Sequence, residues 1–151
     1  MTITLEAIKA EQTKVNEMIA VFEKQAASTY HVAAVKIALA HGERYAGLIL
    51  GENGESDYHL ILLPGEVEDI KWDAASDWAQ ERGGFLPTRR EQSLLFANLK
   101  SEFQSAYYWS GQQHETNSGW AWCQHFGYGR QGNYHAYFEL RARAVRRLVL
   151  L

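Results

Sequence analysis

The sequence predicts an α+β domain preceded by an amphipathic helix, and three observations point there. The first residues repeat apolar side chains at helical spacing. Two apolar runs around residue 54 are joined by turn residues. Between Trp72 and Gly111 the chain runs helix, Gly-Gly stop, capped helix and aromatic strand. Thr88 can accept from the backbone N–H of Glu91 while Glu91 reaches back, which is a capping box at the start of the second of these helices.

Thr4 to about Ala27 reads as one helix, free of Gly and Pro. Leu5, Gln12, Ile19 and Ala26 fall at heptad position a, and Ile8, Val15 and Phe22 at d. The flanking residues are mostly polar. Two readings fit: an amphipathic helix packed on its own domain, or a short coiled coil between subunits. Leu at a with Ile at d leans away from dimers, and Gln12 would fix register at a cost in stability. Self-association through residues 4–27 is weighed ahead of intrachain packing, and a trimer ahead of other states. The boundary is placed near Ser28, giving an oligomerisation helix over 1–28 and a second domain over 29–151, with a hinge out of the helix at Ala26-Ala-Ser-Thr29.

His31 to Ala40 alternates loosely and reads as a strand. Tyr45–Leu50 and Tyr58–Leu63 read as a hairpin across Gly51-Glu-Asn-Gly54-Glu-Ser-Asp57, closed by Pro64-Gly65. Asp73 is expected to cap a helix that turns Ala74, Ala75, Trp78 and Ala79 inward and stops at Gly83-Gly84. Leu94, Leu95, Ala97, Asn98 and Leu99 continue the second helix. Tyr107-Tyr-Trp-Ser-Gly111 follows as a strand.

At 151 residues the chain has a one-domain length, with 46% hydrophobic and 22% charged residues. A net charge of -3 disfavours broad nucleic-acid binding. The single cysteine, Cys123, allows no intrachain disulfide and fits a reducing cytosol. No signal peptide and no membrane-spanning run is legible, so no membrane association is expected. Most of the five Trp and eight Tyr lie between Tyr107 and Tyr137, a local enrichment that suits either a recognition surface or a small β core.

Trp72-x-x-Ala75, Gly84-x-Leu86-Pro87, Glu91 and Tyr108-Trp109-Ser-Gly111 resemble the first half of a C-type-lectin-like domain. Ala121-Trp122-x-x-x-Phe126 and Leu140-Arg-Ala-Arg143-Ala-Val145-Arg146-Arg147 resemble its Lcl-type branch, common in bacteria, prophages and phages. The resemblance covers about Tyr45 to Leu148. It implies two helices packed on antiparallel sheets and a ligand surface in the C-terminal part. The Glu-Pro-Asn or Gln-Pro-Asp loop and the Trp-Asn-Asp strand of calcium-holding members are absent, which disfavours calcium-dependent sugar binding. The cysteine pair of the related formylglycine-generating enzymes is also absent.

No reaction is legible. Gly127-Tyr-Gly129-Arg-Gln-Gly132 matches a dinucleotide pattern, but a β-prone segment follows instead of a helix, so a hairpin tip is the better reading. The histidines show no metal-ligand spacing, and no cofactor or metal is expected. Cys123 and His125 lack an orienting third group, so an inert buried Cys123 is preferred. Arg141, Arg143, Arg146 and Arg147 allow two readings. One is a final strand with Arg146 tied to a carboxylate such as Glu91, and the other is an anion-binding strip. The remaining polar and aromatic residues Trp120, Trp122, Gln124, His125, Tyr128, Arg130, Asn133, Tyr134, His135 and Tyr137 have the chemistry of paratopes and form the candidate ligand-binding face.

The expected function is therefore a non-catalytic phage or prophage binding module, presented as an oligomer to a protein or glycan ligand. It would be made in the bacterial cytoplasm and suits a virion tip. Two alternatives stay open. One is an intracellular phage effector that sequesters a small anionic, nucleotide-like signal or inhibits a host defence enzyme, and the other is a structural virion protein.

Overall fold

The computed structural model describes residues 2–27 and 30–149. The chain divides into two units, Met1–Ile37 and Ala38–Leu151.

In the first unit helix α1 (Leu5–Ala27) begins where the Thr4 hydroxyl accepts from the Ala7 N–H at 3.1 Å. Leu5, Ile8, Val15, Ile19 and Phe22 of its heptad seam are all exposed, as are Met18 and Val21 beside it. The hinge expected at Ala26-Ala-Ser-Thr29 includes Ser28 and Thr29, which lie outside the described residues. The strand expected over His31–Ala40 does not form. Alternation supplies a segment with two faces, but a strand exists only within a ladder, and no strand pairs with this backbone.

Among the described residues the second unit holds eight strands, two α-helices and a single 3-10 turn at Lys100–Glu102. The strands are β1 (Arg44–Ile49), β2 (Tyr58–Leu62), β3 (Val67–Ile70), β4 (Tyr107–Gln113), β5 (Trp120–His125), β6 (Gln131–His135), β7 (Leu140–Ala142) and β8 (Val145–Leu148). The helices are α2 (Trp72–Glu81) and α3 (Arg89–Leu99). One sheet has the order β1-β2-β8 and the other β3-β7-β4-β5-β6. All pairings are antiparallel except β4 with β7.

The expected hairpin is β1–β2. Its turn places Asn53 and Gly54 at positive φ, and the Asp57 carboxylate accepts from the Gly51 N–H at 2.7 Å. α2 starts at Trp72, so its cap lies two residues before the expected one. Lys71 is the N-cap and makes no side-chain bond, while Asp73 lies in the first turn, where its charge faces the positive end of the helix. Ala75 and Ala79 are buried as expected, Trp78 is half-buried, and Ala74 is exposed. α2 ends in a Schellman motif: Gly83 N–H donates to Gln80 O and Gly84 N–H to Ala79 O, with Gly83 at φ +79. Gly84 is required for a second reason. A Cβ there would stand 2.5 Å from Val145 O, closing the bridge that joins Phe85 to Val145.

The capping box of α3 is complete. Glu91 N–H donates to Thr88 Oγ1 at 3.1 Å, and Thr88 N–H donates to Glu91 Oε1 at 2.8 Å. Thr88→Ala is expected to cost about 1 kcal/mol, read as a lower urea midpoint at unchanged slope. A midpoint equal to that of the parent would reject this role.

Two apolar clusters fill the unit. Ala46, Ile49, Leu60, Leu62, Leu95, Leu99, Tyr108, Phe126 and Val145 join the three-stranded sheet to α3. Leu63, Ala75, Ala79, Leu86, Trp109, Ala121, Cys123, Ala142 and Ala144 pack α2 on the larger sheet. The two indoles at this joint have their N–H groups satisfied, Trp109 by Ile70 O and Trp72 by Ser110 O, both at 2.8 Å.

The C-terminal arginine stretch corrects the sequence reading. It is not one alternating strand. The chain leaves the larger sheet after Ala142 and enters the smaller one at Val145, so the expected final strand is interrupted at Arg143 and Ala144, both buried. The carboxylate beside Glu91's expected partner also changes. Arg147 pairs with Glu91 through two bonds of 2.7 and 2.8 Å, whereas Arg146 pairs with Glu43. Antiparallel pairing of β8 with β2 sets this, because adjacent strand residues point to opposite faces.

Candidate functional site

Strand β5 alternates Trp120, Trp122 and Gln124 on one face with Ala121, Cys123 and His125 on the other. Its pairing with β6 sets Trp120 opposite His135, Trp122 opposite Asn133 and Gln124 opposite Gln131 on the first face. On the second face Tyr134 stands opposite Ala121, and Tyr107 of β4 stands opposite His125. The ten candidate residues are thus divided between both faces of one sheet.

A chain of ring contacts reconnects most of them. Trp120 meets His135 at 5.3 Å between centroids, His135 meets Tyr137 at 3.9 Å, and Tyr137 meets Phe138 at 5.5 Å. Phe138 meets Tyr134 at 5.6 Å, Tyr134 meets Tyr107 at 5.1 Å, Tyr107 meets His125 at 4.8 Å, and His125 meets Tyr128 at 4.4 Å. This aromatic belt passes from one face to the other at the Tyr137–Phe138 turn. Trp120, Tyr128, Tyr137 and Phe138 are its exposed members, at 38%, 81%, 60% and 47%. Five of these seven contacts lie within the range where aromatic pairs attract, and the two His–Tyr contacts, His135–Tyr137 and His125–Tyr128, are closer still, so the rings are held in place before any ligand arrives.

Shallow clefts lie toward both ends. One of about 350 Å³ is lined by Lys71, Asp73, Ala74, Gly119, His135, Ala136 and Tyr137. The other, about 290 Å³, is lined by Asp69, Ala106, Tyr107, His125, Glu139, Leu140 and Arg141. Volumes near the lower limit of small-molecule pockets fit single side chains or sugar rings of a larger ligand better than an enclosed metabolite.

The rings owe their positions to local bonds. His125 Nδ1 accepts from the Gly127 N–H at 3.0 Å, which fixes the imidazole against Tyr128. Gly129 takes φ +80 in the β5–β6 turn, and its Cβ would strike the Phe96 ring at 2.8 Å. The glycines of the dinucleotide-like pattern therefore form the β5–β6 turn and the start of β6. Burial and then the neighbouring Tyr107 push the Tyr134 phenol up, keeping it a neutral donor.

Four candidates, Trp122, Gln124, Arg130 and Asn133, lie outside the belt, and Gln124 is withdrawn from solvent. Gln124 is fully buried; it donates to Gln92 O at 3.2 Å and accepts from Gln131 at 2.8 Å, holding α3 to the sheet. Its place in the expected ligand face is corrected accordingly: a polar residue in an aromatic segment suggests surface, but this amide satisfies the buried Gln92 carbonyl. Trp122 is half-buried and already engaged. The Arg89 guanidinium lies 3.4 Å from its ring centroid, the His114 ring stacks on it, and its indole N–H donates to Glu115 at 3.1 Å. Asn133 is half-buried, and its Oδ1, like His135 Nδ1, is enclosed without a hydrogen-bond partner among the described residues. Arg130 is exposed on the β5–β6 turn. Tyr107 and Phe138 belong to the belt but are not legible as site residues, because only the cross-strand register brings them there.

Cys123 is buried, and burial pushes its thiol up to about 12, which removes its thiolate at neutral pH. Among the described residues no three His, Cys, Asp or Glu side chains converge as a metal site. Each of the four C-terminal arginines is engaged. Arg141 bonds Glu66 and Glu68, Arg143 donates to Glu102 O and Leu63 O, and Arg146 and Arg147 hold their carboxylates. These charges are committed to the fold. No helix among the described residues is long and apolar enough to cross a membrane. No family model matches the chain, and no curated protein matches it in sequence.

Proposed function

We propose that the second unit is a C-type-lectin-like domain of the Lcl type that acts as a non-catalytic binding module. In this reading the aromatic belt holds a protein or glycan ligand, and α1 presents several copies together. The observation that carries the reading is the belt itself: eight rings in unbroken contact, with four of them open to solvent. Tyr and Trp give large contact area at low entropic cost, which is the economy of paratopes. The lectin-like assignment draws support from the capping box, the Gly84 close approach and the return of β8 beside β2.

The exposed seam of α1 supports oligomer presentation. A helix that leaves Leu5, Ile8, Val15, Ile19 and Phe22 in water gains by burying them against copies of itself. Three copies would raise avidity without any new contact to the ligand. Such an arrangement suits the host-recognition surface of a phage particle. The alternative of anion sequestration loses its motive once the arginine stretch is paired internally, leaving only Arg130.

Arrays of bacterial surface polysaccharides and envelope proteins provide the test. The parent chain is expected to bind at least one component, and a Trp120→Ala/Tyr137→Ala variant to lose at least about tenfold in affinity, the scale of a contact hot spot. Both side chains are exposed, so the variant should melt within a few degrees of the parent. Equal binding by parent and variant would reject the belt as the site. A monomer by light scattering at micromolar concentration would reject the role of α1.

A further inference from the structure

Four strands lie at sheet edges: β1 and β8 in one sheet, β3 and β6 in the other. Natural proteins shield such edges with charge, proline, bulges or a covering segment, since unpaired backbone recruits further strands. β1 carries Arg44 and a register shift between Tyr45 and Gly47. β3 carries Glu68 and Asp69 and a shift between Val67 and Ile70. β8 carries Arg146 and Arg147, and Phe85 bridges to its first residue. β6 has none of these devices. Gln131-Gly-Asn-Tyr-His135 contains no charged residue and no proline, and its register with β5 is unbroken.

The bonds that flank the β5–β6 ladder show which groups point outward. His125 N–H donates to Arg130 O, and Ala136 N–H donates to Gly119 O, both at 2.8 Å. Alternation along an antiparallel pair then turns Gly132 and Tyr134 toward β5, and Gln131, Asn133 and His135 away from it. Of these outward groups only the His135 carbonyl has a backbone partner, the Phe138 N–H at 2.9 Å. The backbone groups of Gln131 and Asn133 and the N–H of His135 have none among the described residues.

We infer that β6 pairs antiparallel with β6 of a second copy about a two-fold axis at Asn133, making one continuous sheet from two. A second copy fits because the strand is self-complementary in this register. Gly132 falls opposite the partner's Tyr134, and Gln131 opposite the partner's His135. Around Gly132 there is open space where a Cβ would stand, and the Tyr134 ring is turned back onto Tyr107 and Phe138, so neither residue bars the approach of the partner strand. No charge falls at the axis, and the nearest cation, Arg130, comes opposite the partner's Ala136 and away from its own copy. The contact uses no residue of α1 and does not depend on the belt binding a ligand.

Cysteine trapping in the full chain tests this. Residues that face each other as a hydrogen-bonded antiparallel pair stand about 5.5 Å apart at Cα, within disulfide reach. The native Cys123 is buried and gives no background. Under mild oxidation, Asn133→Cys is expected to form a linked dimer on non-reducing gels at least ~10-fold faster than Gln131→Cys, whose thiols lie far apart across the axis. The double variant Gln131→Cys/His135→Cys brings thiols together in the same register and serves if Asn133→Cys does not fold. Linking of Asn133→Cys and of the double variant, with Gln131→Cys silent, supports the pairing. Absence of linking in the folded variants, or equal linking by Gln131→Cys alone, overturns it.

Discussion

Replacing Glu91 with Gln is expected to destabilise the second unit by about 3–5 kcal/mol, the cost of breaking a buried ion pair and leaving one charge behind. Glu91 is fully buried and serves three partners at once. It takes two bonds from Arg147 of the last strand, one of 2.6 Å from the Tyr58 hydroxyl of the first hairpin, and one from the Thr88 N–H. Burial, the largest single influence, pushes this carboxyl up, but the bonds from Arg147, Tyr58 and Thr88 together hold it below the usual carboxylate range. The Tyr58 hydroxyl, pushed up to about 12 by burial and then by Glu91, remains a donor through the neutral range.

The sign of the pH effect follows. A carboxyl with a lowered folded pKa contributes stability that is complete above its unfolded value, about 4.3, and is lost as pH falls through the folded value. Glu43, lowered chiefly by Arg146, acts in the same direction. Urea titrations between neutral pH and pH 3 should therefore show the parent losing stability below about pH 4.5, and Glu91→Gln losing less over that interval. A variant within 1 kcal/mol of the parent at pH 7 would mean that the amide replaces the carboxylate without loss, and the clamp would not have the importance assigned to it.

Trp109→Ala is the second large effect, expected at about 3–5 kcal/mol from the cavity and lost contacts. Its ring has no exposed surface and stands between α2 and the larger sheet. Removing it also orphans the Ile70 carbonyl that the indole satisfies. Trp120→Ala, at an exposed position of the belt, should cost under about 1 kcal/mol. Comparable losses for the two tryptophans in the same denaturation assay would contradict the division between a core ring and a surface ring.

The parts of the fold written in local chemistry were legible. Thr88 and Glu91 announce a helix start whatever surrounds them, and Gly83-Gly84 announces a stop, because both act within one helical turn. The hairpin is legible for the same reason, its turn residues lying between two apolar runs. His31–Ala40 and the arginine stretch misled because their outcome depends on partners distant in sequence. A strand needs a neighbour, and nothing in Val32-Ala-Ala-Val35 states whether one exists. Arg147 rather than Arg146 reaches Glu91 because β8 pairs with β2 in one register, and a shift of one residue would exchange them. The same holds for the site. Trp120, Tyr128 and Tyr137 could be chosen by residue type, whereas burial of Gln124 and recruitment of Tyr107 and Phe138 required the pairing of three strands. Side-chain chemistry shows which residues could meet a ligand, and register decides which of them do.

The place of β8 has a consequence for synthesis on the ribosome. The first hairpin is finished by Leu62, yet the strand that covers its flank begins at Val145. At a translation rate of 5–20 residues per second, roughly 80 intervening residues leave that hairpin waiting about 4–16 s with Leu60 and Leu62 lacking their final neighbours. Arg147, which locks the assembly, is made later still. The second unit is thus committed to folding only once β8 has been made, and nascent chains stalled before residue 145 should be cut readily by protease while chains that carry the whole of β8 resist.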